Sequence, residues 1–317
     1  MRQIRAYAPA SIGNFAAGFD IVGAAIAPLD GKLLGDVVEL RDSEACSLEV
    51  TGPFAFQLEN VADNLVLRTH GLFRAALEQE GGRCPDFAFK LQKNLPVNSG
   101  LGSSASSIVA TLVALQAALG EPLGWPEVLA LAGRAEGLVS GGVHLDNVAP
   151  SLSGGLQLVV PGRREKQVFA TRGLPWFEDL VVVVVHPAFE LPTATSRAAL
   201  PESVSIETTV AWGRNLAALV HALHTRDRGL FSLALRDLLA EPHRAGLVPG
   251  FAAAKTAAVA AGAWGCSLSG SGPSVFAVVD EHHAEAVLAA LQDGFKQAGL
   301  DSRGWLCDLD TRGARVL

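Results

Sequence analysis

A loop rich in glycine and serine constrains the fold of this chain more than any other feature of its sequence. The stretch PVNSGLGSSAS at residues 96–106 follows FAFKLQ at 87–92, which alternates as a half-buried strand does. A helical pattern begins at Ser104. Gly100 and Gly102 permit backbone angles closed to other residues, and a helix N-terminus carries free N–H groups. The loop is therefore either a helix start capped by a serine or a cradle for a phosphate group.

The loop matches neither of two common phosphate-binding patterns. A Walker A motif needs a lysine after its second glycine, and none follows here. The dinucleotide pattern G-x-G-x-x-G is also missing from residues 96–106. The choice between a cap and a cradle therefore depends on the rest of the chain.

Strands and helices are mixed along the whole chain. Alternation and β-branched residues predict strands at 4–8, 36–40, 46–50, 87–92, 154–160, 180–186 and 303–309. Helical spacing predicts helices at 63–80, from 104 onward, and at 126–139, 206–224, 229–240 and 283–298. Because these elements do not form a regular βαβ series, we predict an α+β fold with two lobes, residues 1–158 and 159–317, rather than a doubly wound sheet.

Composition excludes several classes of function. The 317 residues carry a net charge of -7, which argues against nucleic acid as a partner. The four cysteines form no CxxC pair, so zinc ribbons and redox motifs are not predicted. The longest aliphatic run, at 180–185, is too short to span a membrane, and the N-terminus shows no secretory signal. We expect a cytoplasmic enzyme or binding protein with no membrane partner.

Two further glycine-rich stretches contain polar residues. PASIGNFAAGFDIVG at 9–23 holds Asn14 and Asp20 among apolar residues, so we expect Asp20 to have a cationic or donor partner. SGSGPS, around Gly270 and Gly272, lies between two predicted strands and could close over the loop 96–106. Taken alone, the first is also typical of a turn with an Asx cap, and the second of an ordinary hairpin loop.

The three stretches, in this order and at these distances, resemble the signature motifs of the GHMP small-molecule kinases. SGGVHLDNVAPSLSGG at 140–155, TATSR at 193–197 and EPHR at 241–244 narrow the resemblance to the homoserine kinases, which phosphorylate L-homoserine in threonine biosynthesis. The resemblance covers nearly the whole chain. One departure is Ser106, where the family loop usually has alanine.

The resemblance implies a two-lobed GHMP-kinase-type fold with the active site between the lobes, and ATP and Mg²⁺ as cofactors. It implies that Ser104 and Glu136 bind magnesium, which prefers hard oxygen ligands. Asn64 lies where the family approaches the nucleotide base, although an Asp-Asn pair at a helix start is also a plain cap. The residues implied at the nucleotide are Pro96, Val97, Asn98, Ser99, Gly100, Leu101, Gly102, Ser103, Ser104, Ala105, Ser106, Asn64, Gly270 and Gly272.

The resemblance also implies a site for an amino acid. Asp20 would bind the ammonium group, and Arg197 and Arg244 the carboxylate, which a guanidinium can grip with two parallel hydrogen bonds. Asn14 and Asn147 would act near the reacting hydroxyl, and Thr193 would support the site from the loop before Arg197. His144 and Asp146 lie close enough in sequence to serve as a base. Our hypothesis is nevertheless that no strong side-chain base is used, because phosphoryl transfer has a loose transition state.

Two other interpretations stay open at this point. The chain could be a different GHMP kinase, acting on mevalonate or a sugar, or a non-catalytic sensor of nucleotide and metabolite on the same fold. Family members are often dimers, so we expect a homodimer.

Overall fold

The computed structural model describes residues 3–58, 63–164 and 167–317. The strands are β1 (Gln3–Pro9), β2 (Ser11–Ile12), β3 (Val22–Pro28), β4 (Gly35–Asp42), β5 (Ser47–Thr51), β6 (Phe87–Gln92), β7 (Leu156–Arg164), β8 (Gln167–Leu174), β9 (Leu180–Pro187), β10 (Gly265–Leu268), β11 (Val275–Asp280), β12 (Ser302–Leu309) and β13 (Arg315–Val316). The helices are α1 (Leu65–Gln79), α2 (Ser103–Leu119), α3 (Trp125–Ser140), α4 (Val148–Ser153), α5 (Thr193–Ala198), α6 (Ile206–Thr225), α7 (Arg228–Ala234), α8 (Glu241–Arg244), α9 (Phe251–Ala260) and α10 (Ala284–Gln297).

The first lobe is built on a five-stranded sheet in the order β13-β1-β4-β6-β5. Helix α2 packs against β1 and β4 of this sheet, and α1 and α3 pack against α2. The apolar residues Ile108, Leu112, Leu115 and Leu119 recur at helical spacing and form a stripe that faces this core, with the first three fully buried. Burial extends beyond the stripe to most of α2, including Ser103, Ser106, Ser107 and Thr111. The helix after the glycine loop is therefore an inner element of the lobe.

The second lobe is built on an eight-stranded sheet in the order β10-β11-β9-β12-β3-β7-β8, with β2 paired to β3. The valine-rich strand β9 is buried on both faces because helices cover each one. Its Val182 and Val184 face the cluster that includes α6 and α7, whereas Val183 and Val185 face α9 and α10. Such two-sided burial explains a continuous apolar run where a half-exposed strand would alternate.

The mixed α+β prediction with two lobes is confirmed. The chain passes between the lobes more than once, because β3 joins the second sheet and β13 returns to the first. The predicted boundary between 158 and 159 falls within β7 and stays a prediction. No helix within the described parts of the chain has the length and apolarity needed to cross a membrane.

Two predicted elements are wrong. The helix expected at 229–240 ends at Ala234, and Asp237 then accepts hydrogen bonds from the backbone N–H groups of Leu239, Ala240 and Glu241. A short acidic side chain that bonds neighbouring backbone in this way competes with helix formation. The loop expected before Arg197 is the short helix α5, so Thr193 lies on a helix.

Candidate active site

A cavity of about 330 Å³ gathers residues of all three glycine-rich stretches. Both lobes contribute to its lining. The residues singled out from sequence that line it are Asn14, Asp20, Asn64, Val97, Asn98, Ser99, Gly100, Gly102, Ser103, Ser104, Glu136, His144, Asp146, Asn147, Thr193, Arg197, Arg244 and Gly270. Residues spread over most of the chain thus meet in one place.

Five of the residues singled out do not line this cavity: Pro96, Leu101, Ala105, Ser106 and Gly272. Leu101 and Ala105 are fully buried in the apolar cores. The Ser106 hydroxyl donates to the Ala8 carbonyl at 2.7 Å and accepts from the Asp36 N–H at 2.8 Å. The serine that departs from the family pattern therefore anchors α2 to β1 and β4 and faces away from the cavity.

The glycine loop adopts left-handed backbone angles at Asn98, Gly100 and Gly102, with φ of 54°, 77° and 63°. A side chain at Gly100 would collide with the Ser269 carbonyl oxygen, and one at Gly102 with the Ser11 hydroxyl. Glycine is required at both positions by angle and by space. The loop is therefore packed closely against its neighbours.

Helix α2 starts without a side-chain cap. It begins at Ser103, one residue earlier than predicted, and its N-cap residue is Gly102. The Ser103 hydroxyl donates to the Leu95 carbonyl at 3.3 Å, and the Ser104 hydroxyl donates to Glu136 Oε1 at 2.9 Å. The interpretation of the loop as a serine cap is therefore wrong. The first-turn N–H groups and the positive end of the helix dipole face a polar cavity, an arrangement suited to an anion.

The SGSGPS turn closes on the glycine loop. The Ser269 hydroxyl donates to the Gly100 carbonyl at 2.6 Å, and the Ser274 N–H donates to the Ser99 carbonyl at 3.1 Å. The Gly270 N–H donates to the Gly13 carbonyl at 2.9 Å, which ties in the third glycine-rich stretch. These bonds hold the two lobes together at the cavity.

Two carboxyl groups, the buried Asp146 and the half-buried Glu136, lie beside the glycine loop. Burial, together with the charge of Asp146, raises the pKa of Glu136 to about 7. Burial, together with the charge of Asp20, raises the pKa of Asp146 to about 6. A divalent cation beside Ser104 and Glu136 would relieve this destabilisation of the ionised forms. The donors, a hydroxyl and a carboxylate next to an anion-binding helix start, fit Mg²⁺.

The raised pKa of Glu136 predicts a pH dependence of stability in the metal-free protein. The unfolded chain ionises this group near its ordinary pKa of 4.5, whereas the folded chain holds the proton up to about pH 7. The folded state is thus favoured most below pH 4.5, where Glu136 is protonated in both states. This stability is lost as pH rises through 7. Relative to Glu136→Gln, the wild-type free energy of unfolding should fall by about 3 kcal/mol between these limits. Urea unfolding of both proteins across this pH range measures the difference. Free energies of unfolding that change in parallel with pH in the two proteins would contradict the prediction.

Charged residues cluster at one side of the cavity. Arg197 Nη2 donates to Asp20 Oδ1 at 3.1 Å, and His144 Nδ1 lies 3.4 Å from Asp20 Oδ2. Burial alone would raise the pKa of Asp20, but the hydrogen bonds from His144 and Arg197 lower it overall. The expected cationic partner of Asp20 is therefore Arg197.

Arg244 is 2% exposed and lies in the same charged cluster. Its Nε donates to the Ser196 carbonyl at 3.2 Å, and its Nη1 donates to the Gly270 carbonyl at 3.1 Å. The guanidinium also lies 5.6 Å from the centre of the Phe19 ring. Backbone carbonyls and an aromatic face thus fix the orientation of a buried cation that borders the cavity.

The two asparagines predicted near the reacting group are held by hydrogen bonds. Asn14 donates through Nδ2 to the Gly270 carbonyl at 3.0 Å and accepts from the Asp20 N–H at 2.8 Å. Asn147 Oδ1 accepts from the Ser11 hydroxyl at 3.0 Å. Asp146 Oδ2 accepts from the Asn14 N–H at 3.0 Å. Asp146 is thus engaged in holding the backbone of the first glycine-rich stretch.

Two further predicted residues occupy the edges of the site. Asn64 caps α1, because its side chain accepts from the Val66 N–H at 3.0 Å, and it also lines the cavity. Both interpretations of Asn64 therefore remain compatible. The Thr193 hydroxyl lies 3.5 Å from the Ser271 hydroxyl, on the turn that closes over the loop.

Sequence reasoning missed Lys93, which borders the cavity and is 2% exposed. A lysine three residues before the loop proline looks like an ordinary residue at the end of an exposed strand edge. Its pairing with Asp36, 57 positions earlier in the chain, has no local signal.

Comparison with protein families and solved structures agrees with this geometry. A family model described as the GHMP kinases N terminal domain matches residues 64–155, and one described as GHMP kinases C terminal matches residues 219–297. The crystal structure of homoserine kinase from Cytophaga hutchinsonii is 33% identical, with a TM-score of 0.88. That alignment covers 100% of this chain and 98% of the other.

More distant structures share the fold alone. A Listeria monocytogenes protein, provisionally assigned as a homoserine kinase, is 22% identical with a TM-score of 0.71 and 99% coverage of each chain. The phosphomevalonate kinase of Streptococcus pneumoniae is 13% identical with a TM-score of 0.70, covering 96% of this chain and 99% of the other. Enzymes with different acceptors thus use closely similar backbones.

Proposed function

Because this chain belongs to the GHMP kinase family, we propose that it transfers the γ-phosphoryl group of ATP to the hydroxyl of L-homoserine, giving O-phospho-L-homoserine for threonine biosynthesis. GHMP kinases are phosphotransferases that use ATP. The similarity to a homoserine kinase along the full chain supports the choice of acceptor.

The observation that carries the proposal is the pairing of Asp20 with Arg197 beside the buried Arg244. An amino acid carries an ammonium and a carboxylate on one carbon atom, so its two charges lie side by side. A carboxylate and guanidinium groups placed side by side match both charges. Arginine suits the carboxylate because its planar fork donates two parallel hydrogen bonds.

The other acceptors of the family fit this cluster less well. Mevalonate has a carboxylate but no ammonium, so Asp20 would be left without a charged partner from the ligand. A neutral sugar would leave both the carboxylate and the guanidinium groups without a charged partner from the ligand. Burying a charge against a ligand that cannot match it costs several kcal/mol, commonly about 2–5. The charge pattern therefore favours an amino acid.

We propose that the nucleotide phosphates lie in the glycine loop, at the uncapped start of α2. Ser104 and Glu136 would hold Mg²⁺, which when bound neutralises charge on the phosphate oxygens. The loop N–H groups would donate to the same oxygens, and the helix dipole would favour their negative charge. Asn64 would approach the base, and Gly270 would close the site from the second lobe.

Replacing Ser104 by alanine should weaken the metal-dependent step far more than folding. The variant loses a hydroxyl ligand and the hydrogen bond to Glu136, but the helix start needs no serine cap. We expect the Mg²⁺ concentration for half-maximal activity to rise about 10-fold or more, while the unfolding temperature barely changes. Mg²⁺ titrations of initial rate and thermal unfolding measure the two effects. Wild-type metal dependence would reduce the stretch to a backbone cradle.

Asp146 should not be a catalytic base. It is 3% exposed and accepts a hydrogen bond from the Asn14 backbone, which an asparagine could also accept. In our proposal the oxygen of the acceptor hydroxyl attacks the γ-phosphorus, the bond to ADP breaks, and the hydroxyl proton leaves late, to phosphate or solvent. Asn14 and Asn147 would orient the hydroxyl. Asp146→Asn should therefore keep kcat within about 10-fold of wild type. A loss of several orders of magnitude in a folded variant would overturn the no-base mechanism.

A coupled assay of ADP release across small hydroxy-amino acids, mevalonate and sugars tests the acceptor. We expect turnover with L-homoserine and none with mevalonate or galactose. Turnover with another acceptor alone would support a kinase activity but reject homoserine as the acceptor. No ADP release with any acceptor, combined with measurable ATP binding, would favour a non-catalytic sensor.

The expected homodimer, the cytoplasmic location and a lobe boundary at 158 remain part of this proposal. Light scattering of the purified protein distinguishes a dimer from a monomer.

A further inference from the structure

A buried ion pair lies under the glycine loop. Lys93 Nζ and Asp36 Oδ2 are 2.5 Å apart, with side-chain exposures of 3% and 0%. Burying two charges is costly, and replacing such a pair by apolar residues often leaves stability unchanged or raises it. Stability of the fold therefore does not by itself account for the pair.

The N–H donors of the Lys93 ammonium group all form hydrogen bonds with protein atoms. Besides Asp36, it donates to the Ser103 carbonyl at 2.8 Å and to the Ser107 hydroxyl at 3.0 Å. An ammonium has three N–H bonds, so these three partners use all of them. Lys93 borders the cavity, yet no donor is left for a phosphate oxygen.

The carboxylate of Asp36 binds the backbone just before the loop. Its Oδ1 accepts from the backbone N–H groups of Asn94 and Leu95, at 2.8 and 3.1 Å. Its Oδ2 also accepts from the Ser107 hydroxyl at 2.6 Å. Asp36 itself does not line the cavity, so it acts only through these neighbours.

The two ends of the glycine loop therefore meet at one ion pair. Before the loop, the backbone N–H groups of residues 94–95 donate to Asp36. After the loop, the Ser103 carbonyl accepts from Lys93. The Ser107 hydroxyl bonds both Lys93 and Asp36. Between these anchors the backbone must hold the left-handed residues Gly100 and Gly102 in fixed positions. A cradle of N–H groups works only when its donors keep their spacing.

We propose that Lys93 and Asp36 are positioning residues that set the geometry of the phosphate cradle, and hence the affinity for ATP, without touching the nucleotide. This inference rests on the part of the proposed function that places phosphates in the glycine loop. It does not depend on which acceptor is phosphorylated.

The variant Asp36→Asn separates positioning from simple electrostatics. Removing a negative charge close to a phosphate site should leave ATP binding unchanged or tighten it if charge alone matters. If the pair positions the loop, the neutral amide leaves Lys93 without its ionic partner and the loop loses its anchor. We expect the Kd of ATP to rise about 10- to 100-fold in both Asp36→Asn and Lys93→Met. The Kd of adenosine, which has no phosphate, should stay at its wild-type value.

Calorimetric titration of metal-free protein with ATP, ADP and adenosine measures these affinities without requiring turnover. Lys90→Met is the matched control, because Lys90 lies on β6, the strand just before Lys93, and pairs with Glu49 at the surface. It should bind all three ligands as the wild type does. Asp36→Asn that binds ATP as tightly as the wild type, or more tightly, would overturn the inference.

A second variant covers the case in which a single substitution prevents folding. Lys93→Met/Asp36→Leu removes both buried charges together, which leaves no unpaired charge in the core. This folded double variant should show the same selective loss of ATP and ADP affinity. Wild-type ATP affinity in it would show that the pair is dispensable. Absence of homoserine turnover in the wild type would instead reject homoserine as the acceptor, and the conclusion about ATP affinity would be unaffected.

Discussion

Replacing Arg244 by methionine should lower kcat/KM for L-homoserine by about 10²- to 10³-fold. The guanidinium is buried, and its orientation is fixed by the carbonyls of Ser196 and Gly270. A substrate carboxylate bound there would lose a charge-assisted, desolvated partner, which is commonly worth about 2–5 kcal/mol. The KM for ATP should change by no more than about twofold, because the hydrogen bonds described for Arg244 go to the carbonyls of Ser196 and Gly270, outside the glycine loop.

Arg244→Lys and Arg236→Met are the controls for this experiment. Lysine keeps the charge but not the planar fork, so its kcat/KM should lie between wild type and Arg244→Met. Arg236 is exposed and nearby in sequence, and its replacement should leave kinetics unchanged. Thermal unfolding establishes that each variant is folded. An Arg244→Met enzyme with wild-type kcat/KM for homoserine would remove Arg244 from the acceptor site.

Replacing Glu136 by glutamine should lower kcat by about 10²- to 10³-fold. Glutamine has the same shape and can still accept the hydrogen bond of Ser104, so the change removes mainly the negative charge. Mg²⁺ binds amide oxygens far less strongly than carboxylates in a site with few protein ligands. The Mg²⁺ concentration for half-maximal activity should therefore rise as well, and initial rates across a Mg²⁺ titration measure both changes.

Glu127→Gln is the matched control on the same helix. Glu127 lies in the exposed first turn of α3, outside the cavity, and its replacement should not alter kcat. The folding of Glu136→Gln is not expected to suffer, because the variant removes a carboxyl group that is costly to ionise when buried. A Glu136→Gln enzyme with wild-type kcat and metal dependence would exclude Glu136 as a ligand.

Local sequence signals predicted much of the fold. The strand FAFKLQ has the bounds that alternation predicts, and the buried stripe of α2 follows helical spacing. Strand β3 was missed because its sequence, VGAAIAP, offers small residues with little alternation. Helix α5 was missed because TATSR is too short and too rich in β-branched residues to show a helical period.

The candidate site was less predictable from single motifs, since its residues come from nearly the whole chain. The glycine-rich stretches and the arginines were found because each has an unusual composition or matches a family motif. Lys93 and Asp36 were not, because each looks ordinary in its local sequence and gains significance only when tertiary packing brings them together. Likewise, only the structure shows that Ser106 faces the core while Ser104 faces the cavity.

A competition experiment tests the central claim most directly. The protein, ATP and Mg²⁺ are mixed with equal concentrations of L-homoserine, mevalonate and galactose, and the phosphorylated products are identified by mass spectrometry. We predict that O-phospho-L-homoserine is the product, and that its formation matches the ADP released. Phosphomevalonate or a sugar phosphate as the main product, with homoserine unchanged, would contradict the account.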